Sequence, residues 1–444
     1  LSADSVSSLR LVCVQGATVL PKLDDQTTLA LLISRAITKL KRASHTLYTF
    51  SLSLLLLGYA VAVPVAAQDR LAALAGDGSV MLRSPNGEAL VSINPNRSLL
   101  PASILKIPLA QVALTTLGED FRFETHFYRN DSGDLLVRGL GDPFLVSEEI
   151  SRIADTLAQR GLGQIRRLIM DDSAFEADLD LPIENGSNQP FAARNSALAV
   201  NFNTVNLAWT ADGRLTTGEP QTPLTALARE LGARLSPGDP QRINLGDEPA
   251  AGLIQAQQVF QYFLEESGIK VSDGGFYREA VADEWTLFYQ HRSSRSLRDN
   301  LDGLLRYSNN FIANQLFLTL GAQGNGYPAT AEAARAALQQ QLAELYGDGF
   351  GRDPQSLLML EGSGLSRAQR STGAGMMHIL EVFEPYADLL PEVDGVLRKS
   401  GTLTGVYNFA GYIRGSEGLY PFVILTNQAV NNRTEILRIL QRRL

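Results

Sequence analysis

The chain is poor in the residues that thiol, disulfide and zinc chemistry require. Of its 444 residues one is cysteine, Cys13, and four are histidine, His45, His126, His291 and His378. A single cysteine forms neither an intrachain disulfide nor a cysteine-based zinc site. No histidine stands in an H-E-x-x-H string, so a zincin-type metalloenzyme is not expected, and no metal or cofactor is called for. Positive charge is also scarce. Lys and Arg number 39 against 47 Asp and Glu, a net charge of -8. Outside the N-terminal segment there is no basic stripe, which argues against a nucleic-acid partner held by its phosphates. With 45% hydrophobic and 19% charged residues, the composition is that of a globular protein rather than a disordered, collagen-like or multi-span membrane chain. Its length suits two or three domains.

One long apolar run is present. Leu47 to Val63 follows the basic group Lys39, Lys41 and Arg42 and ends near the small residues Val65-Ala66-Ala67, the pattern of an export signal. Residues 1–67 are read as an upstream segment and a signal peptide cleaved after Ala67, which predicts a periplasmic protein. The alternative is a single membrane anchor, for which the run is near the lower length limit. Cys13 and His45 leave with the leader.

The remaining sequence predicts an α/β (α+β) chain. Apolar stretches on either side of Asn86-Gly87 suggest a β-hairpin with a type I′ turn. A helix is expected from Ser103 to Gly118, with Pro108 as an objection. Phe121 to about Val205 looks strand-rich, and residues 210–243, rich in Gly, Pro, Thr and Asp, suit an irregular excursion. Helical patterning returns at 250–267, 297–307, 311–320, 329–346 and from Ser371 or Thr372 to Phe383. Strands follow at 402–414 and 421–427, then a closing helix, Thr434 to Leu444. That helix carries Arg438, Arg442 and Arg443, but Ile436, Leu437, Ile439 and Leu440 favour packing on a sheet over more than peripheral membrane contact. Strands and a helix at both ends could complete one sheet, with the middle inserted as a second domain. The expected division is residues 68–120 and 275–444 for one domain and 121–274 for the insertion, with 210–243 as a reduced third domain.

Three polar strings could carry chemistry. Ser103-Ile104-Leu105-Lys106 places a hydroxyl and an amine three residues apart, on one helix face, where a neutral Lys106 could take the Ser103 proton. The plainer reading is an N-cap serine followed by a solvated lysine. Ser308-Asn309-Asn310 lies between two helices, where it could simply cap the second; otherwise Ser308 offers a relay hydroxyl and Asn310 an amide for a substrate carbonyl. Lys399-Ser400-Gly401-Thr402 opens a strand and could be an ordinary turn. In the functional reading Gly401 lets a ligand approach the backbone, Lys399 and Ser400 meet a carboxylate, and the Thr402 N–H completes an oxyanion hole.

In this order S-x-x-K, S-x-N and K-[ST]-G form the signature of penicillin-interacting serine acyl enzymes. The chain resembles penicillin-binding proteins of the D-alanyl-D-alanine carboxypeptidase/endopeptidase class, the low-molecular-mass class C or peptidase S13 type. The resemblance extends to Gly139-Leu140-Gly141-Asp142-Pro143, Asp171-Asp172-Ser173-Ala174-Phe175 and Gly362-Ser363-Gly364-Leu365-Ser366. The 205-position step from Ser103 to Ser308 leaves room for the inserted domain of that type. Ser400 stands where threonine is usual, Asn309 where aspartate is common, and residues 210–243 are short for the family's third domain.

The resemblance implies a transpeptidase/β-lactamase-like domain with an antiparallel sheet flanked by helices, interrupted by a strand-rich insertion. It implies Ser103 as nucleophile, Lys106 as general base and Ser308 as proton relay. Asn310, Lys399, Ser400 and Thr402 would bind substrate, and Asp171 would meet the side-chain amine of a stem peptide. The partners implied are peptidoglycan stem peptides and, as covalent inhibitors, β-lactams. A β-lactamase or esterase on the same motifs, and a peptidoglycan-binding protein that keeps them as relics, are the competing readings.

Overall fold

The structure, a computed structural model, describes residues 69–182 and 186–444. The expected leader and its cleavage point lie outside the described residues. Residues 70–75 are helical, and β1 (Ser79–Arg83) and β2 (Ala89–Ile93) then form a hairpin. Its turn is not type I′. Gly87 N–H donates to Ser84 O at 2.9 Å, and the positive φ falls on Gly87 alone. Pro85 and Asn86 are therefore the central turn residues, and Gly87 takes the left-handed position that follows. A 3₁₀ turn, Ala102–Leu105, leads into α1 (Lys106–Leu117). Pro108 is harmless there, since the first-turn N–H groups of an α-helix have no intrahelical acceptor.

The insertion contains β3 (Glu124–Arg129), β4 (Leu135–Gly139), α2 (Ser147–Gln159), β5 (Gln164–Asp171), β6 (Thr204–Trp209), β7 (Leu215–Thr217), α3 (Ala226–Gly232), β8 (Gln241–Asn244), α4 (Ala251–Glu266), β9 (Lys270–Arg278) and β10 (Thr286–Arg292). Its main sheet has the order β10-β3-β4-β5-β9. Helices α2 and α4 cover that sheet through Ile150, Ile153, Leu157, Val259 and Phe260, packed with Phe127, Leu135 and Leu168. Helix α2 corrects the strand-rich expectation. Ile150, Ile153, Ala154 and Leu157 recur at helical spacing, with Glu148 and Glu149 in the first turn, where a carboxylate complements the helix dipole. Residues 275–278 and 286–292, expected in the outer domain, also belong to this sheet, the first as the end of β9 beside β5 and the second as β10 hydrogen-bonded along β3. The excursion around 210–243 folds as a small sheet, β7-β6-β8, with its own apolar cluster of Val205, Leu207, Ala228 and Ile243.

The outer part continues with α5 (Leu297–Tyr307), α6 (Asn310–Asn325), α7 (Ala331–Tyr346), the short strands β11 (Arg352–Asp353), β12 (Leu357–Leu358) and β13 (Arg370–Ser371), and α8 (Gly373–Phe383). It closes with β14 (Glu392–Val393), β15 (Val396–Leu403), β16 (Val406–Gly415), β17 (Gly418–Thr426) and α9 (Arg433–Gln441). The six strands β14-β15-β16-β17-β1-β2 form one antiparallel sheet in which Val80 sits opposite Ile424. Alternation divides its side chains between two cores. Met81, Ala410, Tyr412, Val423 and Leu425 face α1, α6 and α8. Val80, Leu82, Phe409, Phe422 and Ile424 face Ile436, Leu437 and Leu440 of α9. The closing helix therefore spends its apolar face on the sheet. Among the described residues no helix is long and apolar enough to cross a membrane.

Candidate active site

Ser103 lies inside the 3₁₀ turn and Lys106 is the first residue of α1. Side chains at i and i+3 of a 3₁₀ turn eclipse one another, which brings Ser103 Oγ to 3.0 Å from Lys106 Nζ. Ser103 caps no helix, and Lys106 is wholly buried, so the plainer reading of an N-cap serine with a solvated lysine does not hold. The turn is entered through Ala102 at φ +50°, a left-handed conformation costly for a residue with a Cβ. Gly364 lies against it: a Cβ there would sit 2.4 Å from Ala102 O and 2.9 Å from Ser103 N.

Lys106 Nζ also lies 2.9 Å from Asn310 Oδ1, and it donates to Ser363 O. Two carbonyl acceptors and one hydroxyl thus surround an amine with no water-exposed surface. Burial, followed by the Lys399 charge, holds the Lys106 pKa well below its ordinary value of 10.5, while Glu361 opposes the shift. Nζ is placed to donate to Ser103 Oγ, which itself lies 3.3 Å from Ser363 O; in its neutral form the amine would have a lone pair available for the Ser103 proton while donating to the two carbonyls.

Ser308 terminates α5 at φ +54°, ψ +35°, and the next residue, Asn309, is the N-cap of α6, its Oδ1 accepting from Ile312 N at 3.0 Å. The string thus caps a helix through Asn309, while the Ser308 and Asn310 side chains turn to Lys399 and Lys106. Ser308 Oγ accepts from Lys399 Nζ at 2.7 Å, and Lys399 also donates to Ser400 O at 2.9 Å. Lys399 is 1% exposed. Burial, then the Arg433 guanidinium, pushes its pKa down to about 7.

Strand β15 alternates. Lys399 and Gly401 are buried while Ser400 and Thr402 occupy the more open face. Gly401 does make a close approach possible, but to the chain itself rather than to a ligand. A Cβ at Gly401 would lie 2.6 Å from Pro101 O and 3.2 Å from Ile104 N, so the glycine lets the strand pack on the turn that carries Ser103. Asn408 secures the same junction by donating to Leu100 O and Pro101 O, both at 2.9 Å.

The structure does not bring Asp171 into this group. Its carboxylate is buried, accepting from Ser173 N at 2.8 Å and Val281 N at 3.0 Å, and so holds the end of β5 rather than facing a ligand. Its neighbour Asp172 lines the cleft beside Asn310, Phe191 and Arg194, paired with Arg278 through contacts of 2.8 and 3.1 Å.

One buried acid escaped the sequence reading. Glu361 accepts from Ser363 N and Ser363 Oγ at 2.6 Å, Gly364 N at 2.9 Å and Gln369 Nε2 at 2.6 Å. It fixes the loop whose Ser363 carbonyl meets Lys106. The available signal was a lone carboxylate between the apolar run Leu357 to Leu360 and the string Gly362-Ser363-Gly364.

A serine hydroxyl against a buried lysine, at the edge of an antiparallel sheet with helices on both faces, defines the class of penicillin-interacting serine hydrolases. The chain belongs to the D-Ala-D-Ala carboxypeptidase 3 (S13) family, whose pattern matches residues 63–230 and 247–391. It is 27% identical over 426 residues to a D-alanyl-D-alanine carboxypeptidase of Actinomadura sp. (strain R39), covering 79% of this chain and 77% of that protein. It is 24% identical over 406 residues to the D-alanyl-D-alanine carboxypeptidase DacB of Haemophilus influenzae, covering 74% and 81%. The crystal structure of penicillin binding protein 4 (dacB) from Haemophilus influenzae shares the fold. It has a TM-score of 0.67 at 21% identity, over 84% of this chain and 98% of that one. The complex of that protein with a β-lactam gives 0.63.

Proposed function

We propose that this chain is a serine-type D-Ala-D-Ala carboxypeptidase/endopeptidase that cleaves peptidoglycan stem peptides through an acyl-enzyme on Ser103 and is acylated by β-lactams. The observation that carries the reading is the environment of Lys106. Its Nζ lies 3.0 Å from Ser103 Oγ with Asn310 Oδ1 and Ser363 O as its other neighbours, so that once neutral it could donate to the two carbonyls and take the Ser103 proton on its lone pair.

Ser103 Oγ attacks the carbonyl carbon of the D-Ala-D-Ala bond as its proton passes to Lys106 Nζ. The N–H groups of Ser103 and Thr402 hold the oxyanion, and Lys399, Ser400 and Thr402 meet the terminal carboxylate. Asn310 orients the peptide through its side-chain amide. The C–N bond then breaks, and the departing amine takes, through the Ser308 hydroxyl that Lys399 holds, the proton that Lys106 received from Ser103, which leaves Lys106 neutral again. Water attacks the ester as one of its protons passes to Lys106, and that proton returns to Ser103 Oγ as the acyl–oxygen bond breaks and the shortened peptide leaves. Such a substrate would place the action in the periplasm, which agrees with the export signal expected from the sequence of residues 1–67.

A fluorescent penicillin tests the nucleophile. The wild-type protein takes the label and Ser103→Ala, still folded, does not; labelling retained in the variant overturns the assignment. Digestion of purified sacculi, with product analysis, tests the substrate: release of D-alanine or cleavage of cross-links is expected, and intact products would refute it.

A further inference from the structure

Arg433, the first residue of α9, belongs to none of the strings discussed above. Its Nη1 donates to Thr402 Oγ1 at 2.7 Å and lies 3.4 Å from Gly401 O and 3.5 Å from Asn408 O. Its guanidinium carbon sits 4.5 Å from the centroid of the Phe409 ring, and that of Arg398 sits 4.7 Å from the same centroid. Among the described residues Arg433 forms no ion pair, and its hydrogen bonds all run from Nη1. The Nε and Nη2 donors of a planar fork are thus left without protein partners, beside the open face of β15.

We propose that Arg433 is a specificity-determining residue, its free guanidinium edge binding the C-terminal carboxylate of the substrate beside Thr402. The assignment rests on the reading of Lys399-Ser400-Gly401-Thr402 as the carboxylate-binding strand.

Three physical points support it. First, a threonine hydroxyl whose oxygen accepts from a guanidinium has its own O–H free to donate outward, so Arg433 orients Thr402 toward an acceptor. Second, Arg433 stands among like charges. Burial, and after it the Arg398 charge, lowers its pKa, and its own charge lowers that of Lys399. A cluster of Lys399, Arg398 and Arg433 is relieved by an anion, with Asp394 the acid acting on Arg398 and Tyr407 on Arg433. Third, guanidinium matches carboxylate bidentately, which an ammonium does not. The consequence is a preference for peptides with a free terminal carboxylate over those in which it is blocked.

The test compares two ligands that differ at that group alone, a diacetylated Lys-D-Ala-D-Ala peptide and its C-terminal carboxamide. In the wild type kcat/KM favours the carboxylate. Arg433→Gln should reduce that ratio by about 10- to 100-fold, as expected for one charge-assisted hydrogen bond, and Arg433→Lys should restore it in part. An unchanged ratio in Arg433→Gln overturns the proposal. Calorimetric binding of the same pair to Ser103→Ala and to Ser103→Ala/Arg433→Gln repeats the comparison without acyl transfer. Loss of the carboxylate preference in the double variant supports Arg433 even if turnover fails, whereas equal preference in both refutes it. Failure of the wild type to take penicillin counts against the acyl-enzyme reading alone.

Discussion

Replacing Gly401 by alanine tests how tightly the closing strand must rest on the nucleophile turn. The added Cβ would sit 2.6 Å from Pro101 O and 3.2 Å from both Ile104 N and Ile104 Cγ2. All three contacts are closer than ordinary van der Waals separation, and two of the three neighbouring atoms are backbone. Relief to about 3.4 Å requires a relative displacement of roughly 0.8 Å between β15 and the Ser103 turn. A misplacement near 1 Å at a reacting centre costs about 100-fold in rate, so acylation should slow by about 10- to 100-fold. Overpacking should cost about 1–3 kcal/mol of stability. The assay is the second-order rate of fluorescent penicillin acylation, read alongside thermal unfolding. Gly405→Ala is the matched control. Gly405 has φ +75° but open space around a Cβ, so it should lose stability through backbone strain and keep its acylation rate. Wild-type acylation in Gly401→Ala would refute the claim that this contact sets the geometry.

Two charges act on Lys106 in opposite directions, Lys399 lowering its pKa and Glu361 raising it. Acylation needs the neutral amine, so Lys399→Met should move the acidic limb of the pH–rate profile to higher pH, and Glu361→Gln should move it lower. Shifts of the same sign would contradict the assignment of Lys106 as base. Lys106→Met should abolish acylation and raise the melting temperature at neutral pH. The reason lies in proton linkage: between its depressed folded pKa and 10.5 the unfolded chain binds the extra proton, so stability rises with pH across that window. The variant should lose that slope, and calorimetry over the window checks it. Asp171→Ala, which strips acceptors from two backbone N–H groups, should cost about 1–3 kcal/mol in chemical denaturation. Asp172→Ala, whose carboxylate meets an exposed arginine, should cost less than about 1 kcal/mol.

Much of this arrangement was legible because the motifs are local while the insertion is bulky. Strands and a helix at both ends of the chain pointed to one sheet completed from its first and last segments, and β1 pairs with β17 in that way. Helix α2 was not legible amid aromatic and β-branched neighbours, although Ile150, Ile153 and Leu157 carry its period. The expected boundary after residue 274 parts β10, Thr286–Arg292, from its sheet partner β3, a pairing that only long-range hydrogen bonds reveal. Asp171 and Asp172 are adjacent acids with opposite fates, one spent on backbone donors and one on the cleft. Strand alternation allows both assignments, so sequence could not choose between them. Glu361 and Arg433 sit outside the three strings and matter through what they touch in space.

The pairing of residues 79–82 with 422–425 also bears on how the protein comes into being. Contacts so far apart along the chain form late, since closing a long loop must precede any gain from the pairing. A polypeptide ending after the first helix, or even after β10, carries Ser103 and Lys106 but lacks the Asn310 and Ser363 acceptors, Lys399 and the strand that presses on their turn. The site is therefore complete only once strands from both ends of the sheet have paired, and a chain truncated before β15 is expected not to take a penicillin label.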